Sequence, residues 1–269
     1  MDGTLGTVDG RPTLRFERRL RHPVAKVWRA ITDPAELPAW FPWQVEIDAS
    51  VGGRIAFTHP EGAATAPDAV ITELDPPHVF AYTWNDADLR FELTEDRDGS
   101  VLVFTHTFGE RPPAAKFAAG WHVSLDALES VLAGESVPNG DWPALHARYV
   151  AAFGLWDGEL TGDTLRFEQE LVFPPGVVWR ELAGDATLGA PPPEQATVPG
   201  VPATVITDLV AGTTLAYANV RFELVPQDFG VRVVLTQTGQ GAREPEVRRA
   251  WHDRLVSFAA ALDRRPVGG

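Results

Sequence analysis

Two residues of this 269-residue chain combine titratable chemistry with an inward setting: His106 and Tyr82. An imidazole titrates near neutrality and can serve as a general base or an orienting donor. Strand alternation sets Leu102, Phe104, His106 and Phe108 on one face of residues 101–108, and Val101, Val103, Thr105 and Thr107 on the other. A matching later segment settles the sense. Its faces are Val233, Leu235 and Gln237 against Arg232, Val234, Thr236 and Thr238, and the face with arginine and two threonines is the wet one. His106 therefore points inward. Phe57, Trp84, Phe104, Phe117, Trp121 and Leu125 would wall a pocket around it, with Trp40, Phe41 and Trp43 at the mouth and His106 and Tyr82 as polar anchors. Mostly apolar walls with a few placed polar groups suit a small hydrophobic ligand. The competing reading is that the aromatics fill a core and His106 is a hydrogen-bonded core histidine.

Other chemistry has little to rest on. There is no Gly-x-Ser-x-Gly elbow, no Walker loop and no dinucleotide fingerprint, so no cofactor is expected. The seven histidines are scattered and none pairs at i, i+4 spacing, so no metal site is expected. Cysteine is absent, which excludes disulfides and a thiolate nucleophile and fits a cytoplasmic protein. Asp86 and Asp88 fall in a turn and read as solvated. The net charge of −14 leaves no basic face for nucleic acid. No apolar run approaches the roughly 20 residues of a membrane span, and the first 15 residues lack a signal-peptide core.

The inward faces need a scaffold, and the scaffold comes twice. Phe117, Trp121, Leu125, Leu128 and Leu132 fall on one stripe of a helix over residues 113–133, and Val247, Trp251, Leu255, Phe258 and Leu262 repeat that stripe 130 residues later. His122 returns as His252. Strands are predicted over 13–21, 45–47, 54–58, 69–74, 79–84, 89–94 and 101–108, the last six joined by short turns as an antiparallel meander. Leu14, Phe16 and, after a break in phase, Leu20 mark the first strand. Gly52-Gly53 suggests a tight turn or a close backbone approach. Thr-Leu-Arg-Phe-Glu at residues 13–17 recurs at 164–168, Val-Ile-Thr at 70–72 recurs at 205–207, and Arg-Phe-Glu-Leu at 90–93 recurs at 221–224. The repeat keeps its order throughout, which predicts an internal duplication. Trp28 to Val70 spans 42 residues, whereas Trp179 to Val205 spans 26, so the second copy lacks 16 residues and with them two strands. The expected organisation is a loose polar lead-in (1–12), a complete domain (13–137), a connector with one helix (138–162) and a shortened domain (163–264).

Residues 27–41, Val-Trp-Arg-Ala-Ile-Thr-Asp-Pro-Ala-Glu-Leu-Pro-Ala-Trp-Phe, resemble the first helical region of the START-like (SRPBCC) superfamily. The branch they resemble is the one named after the C-terminal domain of the activator of Hsp90 ATPase. Val-Gly-Gly-Arg at 51–54 and Gly-Trp-His-Val-Ser-Leu-Asp-Ala-Leu at 120–128 are similar to that branch's other signatures, in the same order. The resemblance covers about 13–133 and extends more weakly over 164–262. It implies an α+β fold of two tandem helix-grip domains, each a curved antiparallel sheet over a long C-terminal helix, the second shortened. It transfers no catalytic residue, because the shared residues are structural. Relatives include lipid and hormone carriers, polyketide cyclases and aromatases, and a co-chaperone. Three readings follow: a carrier of a small hydrophobic ligand in the first domain, with the shortened copy packing on or bracing it; a cyclase-like enzyme using His106 and Tyr82; or a protein-interaction module with an unspecified partner.

Overall fold

The computed structural model describes residues 3–59, 65–227 and 230–263. The chain divides into two compact units, Met1–His146 and Ala147–Gly269. In the first, β1 (Thr4–Val8) and β2 (Arg11–Leu20) lead into α1 (Val24–Thr32) and a single 3-10 turn, Leu37–Ala39. The meander follows as β3 (Gln44–Ile47), β4 (Arg54–Thr58), β5 (Thr65–Asp75), β6 (Val79–Trp84), β7 (Ala87–Asp96) and β8 (Gly99–Thr107), and α2 (Ala114–Ala133) ends the unit's sheet-and-helix body. The sheet is antiparallel in the order β1-β2-β8-β7-β6-β5-β4-β3.

The loose lead-in expected over residues 1–12 is instead a hairpin arm. Asp9 and Gly10 both take positive φ (49° and 79°), the geometry of a two-residue hairpin turn, and β1 pairs with β2 from Thr4↔Arg15 to Val8↔Arg11. Gly3 has no room for a Cβ against the Phe16 ring, so the chain enters the fold pressed onto the core. The expected break in phase along β2 is also absent. Arg18 takes the inward place between Phe16 and Leu20, is 5% exposed, and reaches the Asp126 carboxylate on α2 at 3.2 Å. His122 also contacts Asp126, at 3.3 Å one turn along the helix. Burial pushes the Asp126 carboxyl up, but His122 and Arg18 outweigh it and hold it below its usual value. Gly52-Gly53 does mark a close approach: Gly53 has no room for a Cβ beside the Asp48 carbonyl, and the pair exchanges backbone hydrogen bonds with Ile71 at 2.8 and 2.9 Å.

Two rows of side chains cross the inner face. Leu74, Phe80, Phe91, Phe104 and Phe16 stand abreast on β5, β6, β7, β8 and β2, and Ile71, Tyr82, Leu89, His106 and Leu14 form the next row. The α2 stripe lies on them, with Trp121 4.2 Å from the Phe104 ring. Gly134, at φ 73°, ends α2 with backbone bonds from Gly134 to Val131 and from Glu135 to Ser130, and Lys26 on α1 donates to the Leu132 carbonyl at 2.6 Å.

Helix α3 (Trp142–Ala152) falls where one helix was expected between the domains. The second unit holds β9 (Glu159–Thr161), β10 (Thr164–Leu171), α4 (Pro175–Leu182), β11 (Ile206–Val210), β12 (Thr214–Tyr217), β13 (Val220–Gln227), β14 (Gly230–Thr238) and α5 (Pro245–Asp263). Its sheet order, β9-β10-β14-β13-β12-β11, is that of the first unit without β3 and β4. The same two rows recur in thinner form, Leu215–Phe222–Leu235–Phe167 and Ile206–Tyr217–Val220–Gln237–Leu165.

Counting along the repeat, Gln169 stands where the first copy has Arg18, and Val256 where it has Asp126. Asp126→Val alone leaves a buried guanidinium without its carboxylate and should cost about 2 kcal/mol in denaturant unfolding, below the usual figure for a buried pair because Asp126 is half exposed. The double variant Arg18→Gln/Asp126→Val should recover most of that loss.

Candidate functional site

The aromatic interior of the first unit surrounds a cavity of about 20 Å³, room for one water molecule. Of the side chains expected at the pocket, Trp40, Phe41, Phe57, Tyr82 and Trp121 line it. Ile31, Leu37, Val45, Ile47, Ile55, Phe80 and Phe91 complete the lining. Phe80 and Phe91 carried a signal in the sequence, since alternation puts Phe80 on the face of Tyr82 and Phe91 on that of Leu89. Leu37 and the α1 residue Ile31 carried none, because helical spacing does not say which part of a sheet a helix covers.

Phe41 is the centre of the cluster. It follows the 3-10 turn, its N–H bonded to the Leu37 carbonyl at 2.9 Å, and its ring contacts four others. Trp40 lies at 5.7 Å, Phe57 at 6.2 Å and Trp84 at 6.4 Å, while Trp121 lies at 6.1 Å and within 18° of parallel. Trp84 stacks on Phe57 at 4.4 Å behind the lining, its indole N–H bonded to the Pro67 carbonyl at 2.8 Å. Trp40 is buried as well, donating to the Ala30 carbonyl at the end of α1 at 2.9 Å. Trp43 stays partly exposed, edge-on to His59 at 5.6 Å. The segment expected to stand at a mouth thus turns inward at Trp40 and Phe41 and closes the cavity.

Phe104, His106, Phe117 and Leu125 lie outside the lining. Phe104 is a core residue under α2, and Leu125 lies on the buried stripe of α2 itself. His106 packs between Phe108, at 5.1 Å, and Phe117, at 4.8 Å, and accepts the Trp121 indole N–H at Nδ1 over 3.1 Å. Burial, with help from the Arg11 charge, pushes its pKa down to about 3, so the ring is neutral at pH 7. The second unit has the same contact in other atoms, the Trp251 indole N–H donating to Gln237 Oε1 at 2.5 Å. What the position supplies in both units is an acceptor for a buried indole. Tyr82 does face the cavity, but burial raises its phenol far above neutrality, so it is a donor and not a base. One strand, β7, separates it from His106, with Leu89 between them. The structure therefore does not bring the two candidate acid–base groups together at the cavity.

Among the described residues no group of three or more His, Asp or Glu side chains is placed to hold a metal ion, and no helix is long and apolar enough to cross a membrane. The acceptor role of His106 has a pH signature. The unfolded imidazole titrates near 6.5 and the folded one near 3, so the unfolded state binds the extra proton between them. Stability should fall from about pH 6.5 down to about pH 3 by roughly 1 kcal/mol per pH unit from this group. His106→Gln should fold and should lose that increment of the pH dependence, whereas His106→Leu should cost about 1–3 kcal/mol at neutral pH by orphaning the indole. Denaturant unfolding of the three proteins across pH checks both.

Residues 21–133 match the family described as Activator of Hsp90 ATPase homolog 1-like protein. No curated protein matches the chain. Among solved structures, EF2215 from Enterococcus faecalis, a conserved protein of unknown function, aligns at 23% identity and a TM-score of 0.51 over 56% of this chain and 90% of its own. CalU16 from Micromonospora echinospora aligns at 22% identity and a TM-score of 0.47, over 57% of this chain and 96% of its own. MLL2253 from Mesorhizobium loti aligns at 25% and 0.40, over 46% and 98%. With the antiparallel sheet, the covering C-terminal helix and the matched residues together, the chain carries over residues 21–133 a START-like (SRPBCC) domain of the activator-of-Hsp90-ATPase-homologue type.

Proposed function

We propose that the first unit binds a small hydrophobic molecule in the cavity between its sheet and α2, with Phe41 as the movable part of the wall. The observation that carries this reading is how the cavity is closed. Sheet and helix build the rest of the frame, but the ring at its centre comes from a short segment after one 3-10 turn. Such a segment is held by few backbone hydrogen bonds and can move without breaking the sheet. Ligand sites are usually about 300 Å³ or larger, so a ligand needs Phe41 to swing out, and the 20 Å³ cavity is the closed form. The lining suits an apolar guest: the Trp40 and Trp121 indole N–H groups are already committed, to Ala30 and His106. Binding is favoured over cyclase-like turnover because Tyr82 stays protonated and His106 lies outside the lining.

The reading is tested by native mass spectrometry of protein purified from cells, compared with its denatured mass, and by titration with the apolar fluorophore N-phenyl-1-naphthylamine. An excess mass on the order of a few hundred daltons is expected. Phe41→Ala should bind the fluorophore roughly tenfold more tightly than the parent protein, since the opening no longer works against the stack. No excess mass, together with no fluorophore binding by Phe41→Ala, would overturn it.

A further inference from the structure

Each unit holds one tyrosine at the same place in its sheet. Tyr82 stands between Ile71 and Leu89, in the row that His106 continues. Tyr217 stands between Ile206 and Val220, in the row that Gln237 continues. The surroundings of the two hydroxyls differ. Tyr217 donates to the Ala196 carbonyl at 2.5 Å, and both residues are buried. Ala196 sits on a short turn, Glu194–Ala196, in the loop found where the first unit has β3 and β4. Tyr82 is 5% exposed and lines the cavity, and among the described residues none accepts its hydroxyl proton. A hydroxyl with no protein acceptor is free to donate to whatever enters the cavity, and the second unit shows a partner that serves it: a carbonyl oxygen.

The rest of the cavity narrows the partner further. The rings of Trp40, Phe57, Trp84 and Trp121 surround Phe41, with Trp121 nearly parallel to it. When Phe41 leaves, the gap has the shape of a flat ring. The other lining side chains are hydrocarbons and the two committed indoles, so a ligand N–H or O–H would have only the Tyr82 oxygen to accept it and would leave the Tyr82 O–H unserved. A carbonyl oxygen serves that O–H and brings no donor of its own. From this geometry we infer that the first unit takes a planar aromatic molecule bearing a carbonyl oxygen. Its ring replaces Phe41 against Trp121, and its oxygen accepts the Tyr82 hydroxyl as Ala196 accepts that of Tyr217. The inference rests on the ligand-binding reading above and adds the ligand class to it.

Three probes test it on the full chain through tryptophan fluorescence. They are 2-acetylnaphthalene, the similarly shaped 2-ethylnaphthalene without the carbonyl, and 2-dodecanone, a carbonyl on a flexible chain. The acetyl compound should bind more tightly than 2-dodecanone. Its affinity relative to the ethyl compound should fall about fivefold to tenfold in Tyr82→Phe and stay unchanged in Tyr217→Phe. Tyr82→Phe removes a hydroxyl without a protein partner and leaves no group orphaned, so its melting midpoint should not fall, whereas Tyr217→Phe strands the Ala196 carbonyl and should melt lower. An unchanged acetyl-to-ethyl ratio in Tyr82→Phe overturns the carbonyl assignment, and tighter binding of 2-dodecanone overturns the planar ring; either result leaves the ligand-binding reading standing. If neither the parent protein nor Phe41→Ala binds any of the three, that reading falls and takes the inference with it.

Discussion

A buried indole N–H is costly without an acceptor, and in both units the indole on the covering helix, Trp121 or Trp251, has one. Trp121 on α2 and Trp251 on α5 lie on their sheets with the N–H turned toward the last strand. The acceptor is a histidine nitrogen in one unit and an amide oxygen in the other, at the same place in the row. A helix on an apolar surface could otherwise slide or rotate at small cost, because dispersion contacts are non-directional. The hydrogen bond is directional and unprotected by water, so it fixes where the helix stripe sits over the strands. The neutral state of His106 follows from this: a protonated imidazole there would present a donor to a donor.

The polar ties at the rim of each helix are less uniform. In the first unit Arg18 crosses from sheet to helix to meet Asp126, and Lys26 holds the Leu132 carbonyl near the end of α2. The second unit has Gln169 and Val256 at the first pair's positions, and α5 is held instead through His252, whose Nδ1 lies 3.0 Å from the Trp156 carbonyl. The returning histidine thus keeps a structural contact but changes its partner. A charged pair and a neutral substitute can occupy one position because the net worth of a partly buried ion pair is small, although removing one member alone is not.

Filling the concave face is the other constraint, and the two units meet it differently. The long sheet of the first unit curves over more space than its strand and helix side chains can occupy. Four phenylalanines abreast and the inward turn of Trp40 and Phe41 fill all but 20 Å³ of it. The shorter sheet of the second needs less, and leucines at two of the four places together with the loop around Ala196 suffice. What lies near the tyrosine of the matching row therefore differs: a backbone carbonyl from the loop around Ala196 in the short sheet, and the aromatic cluster around Phe41 in the long one.

Much of this was legible in the chain itself. Period-two and period-3.6 patterns determine which faces of β8 and α2 turn inward, and the repeat offsets determine that two strands are missing from the second sheet, because burial imposes those periods on any sequence that folds this way. Asp9-Gly10 and Arg18 mislead when read from the chain alone: a hairpin turn passes for a loose lead-in, and the polarity of Arg18 at an inward position passes for a break in phase. Whether the aromatics enclose a pocket or close it was decided only by the tertiary structure. Cavity volume is a small difference between the space a curved sheet encloses and the volume of the side chains pointed into it. That difference depends on sheet curvature and on the path of one short turn after α1, neither of which has a period that alternation or spacing could reveal.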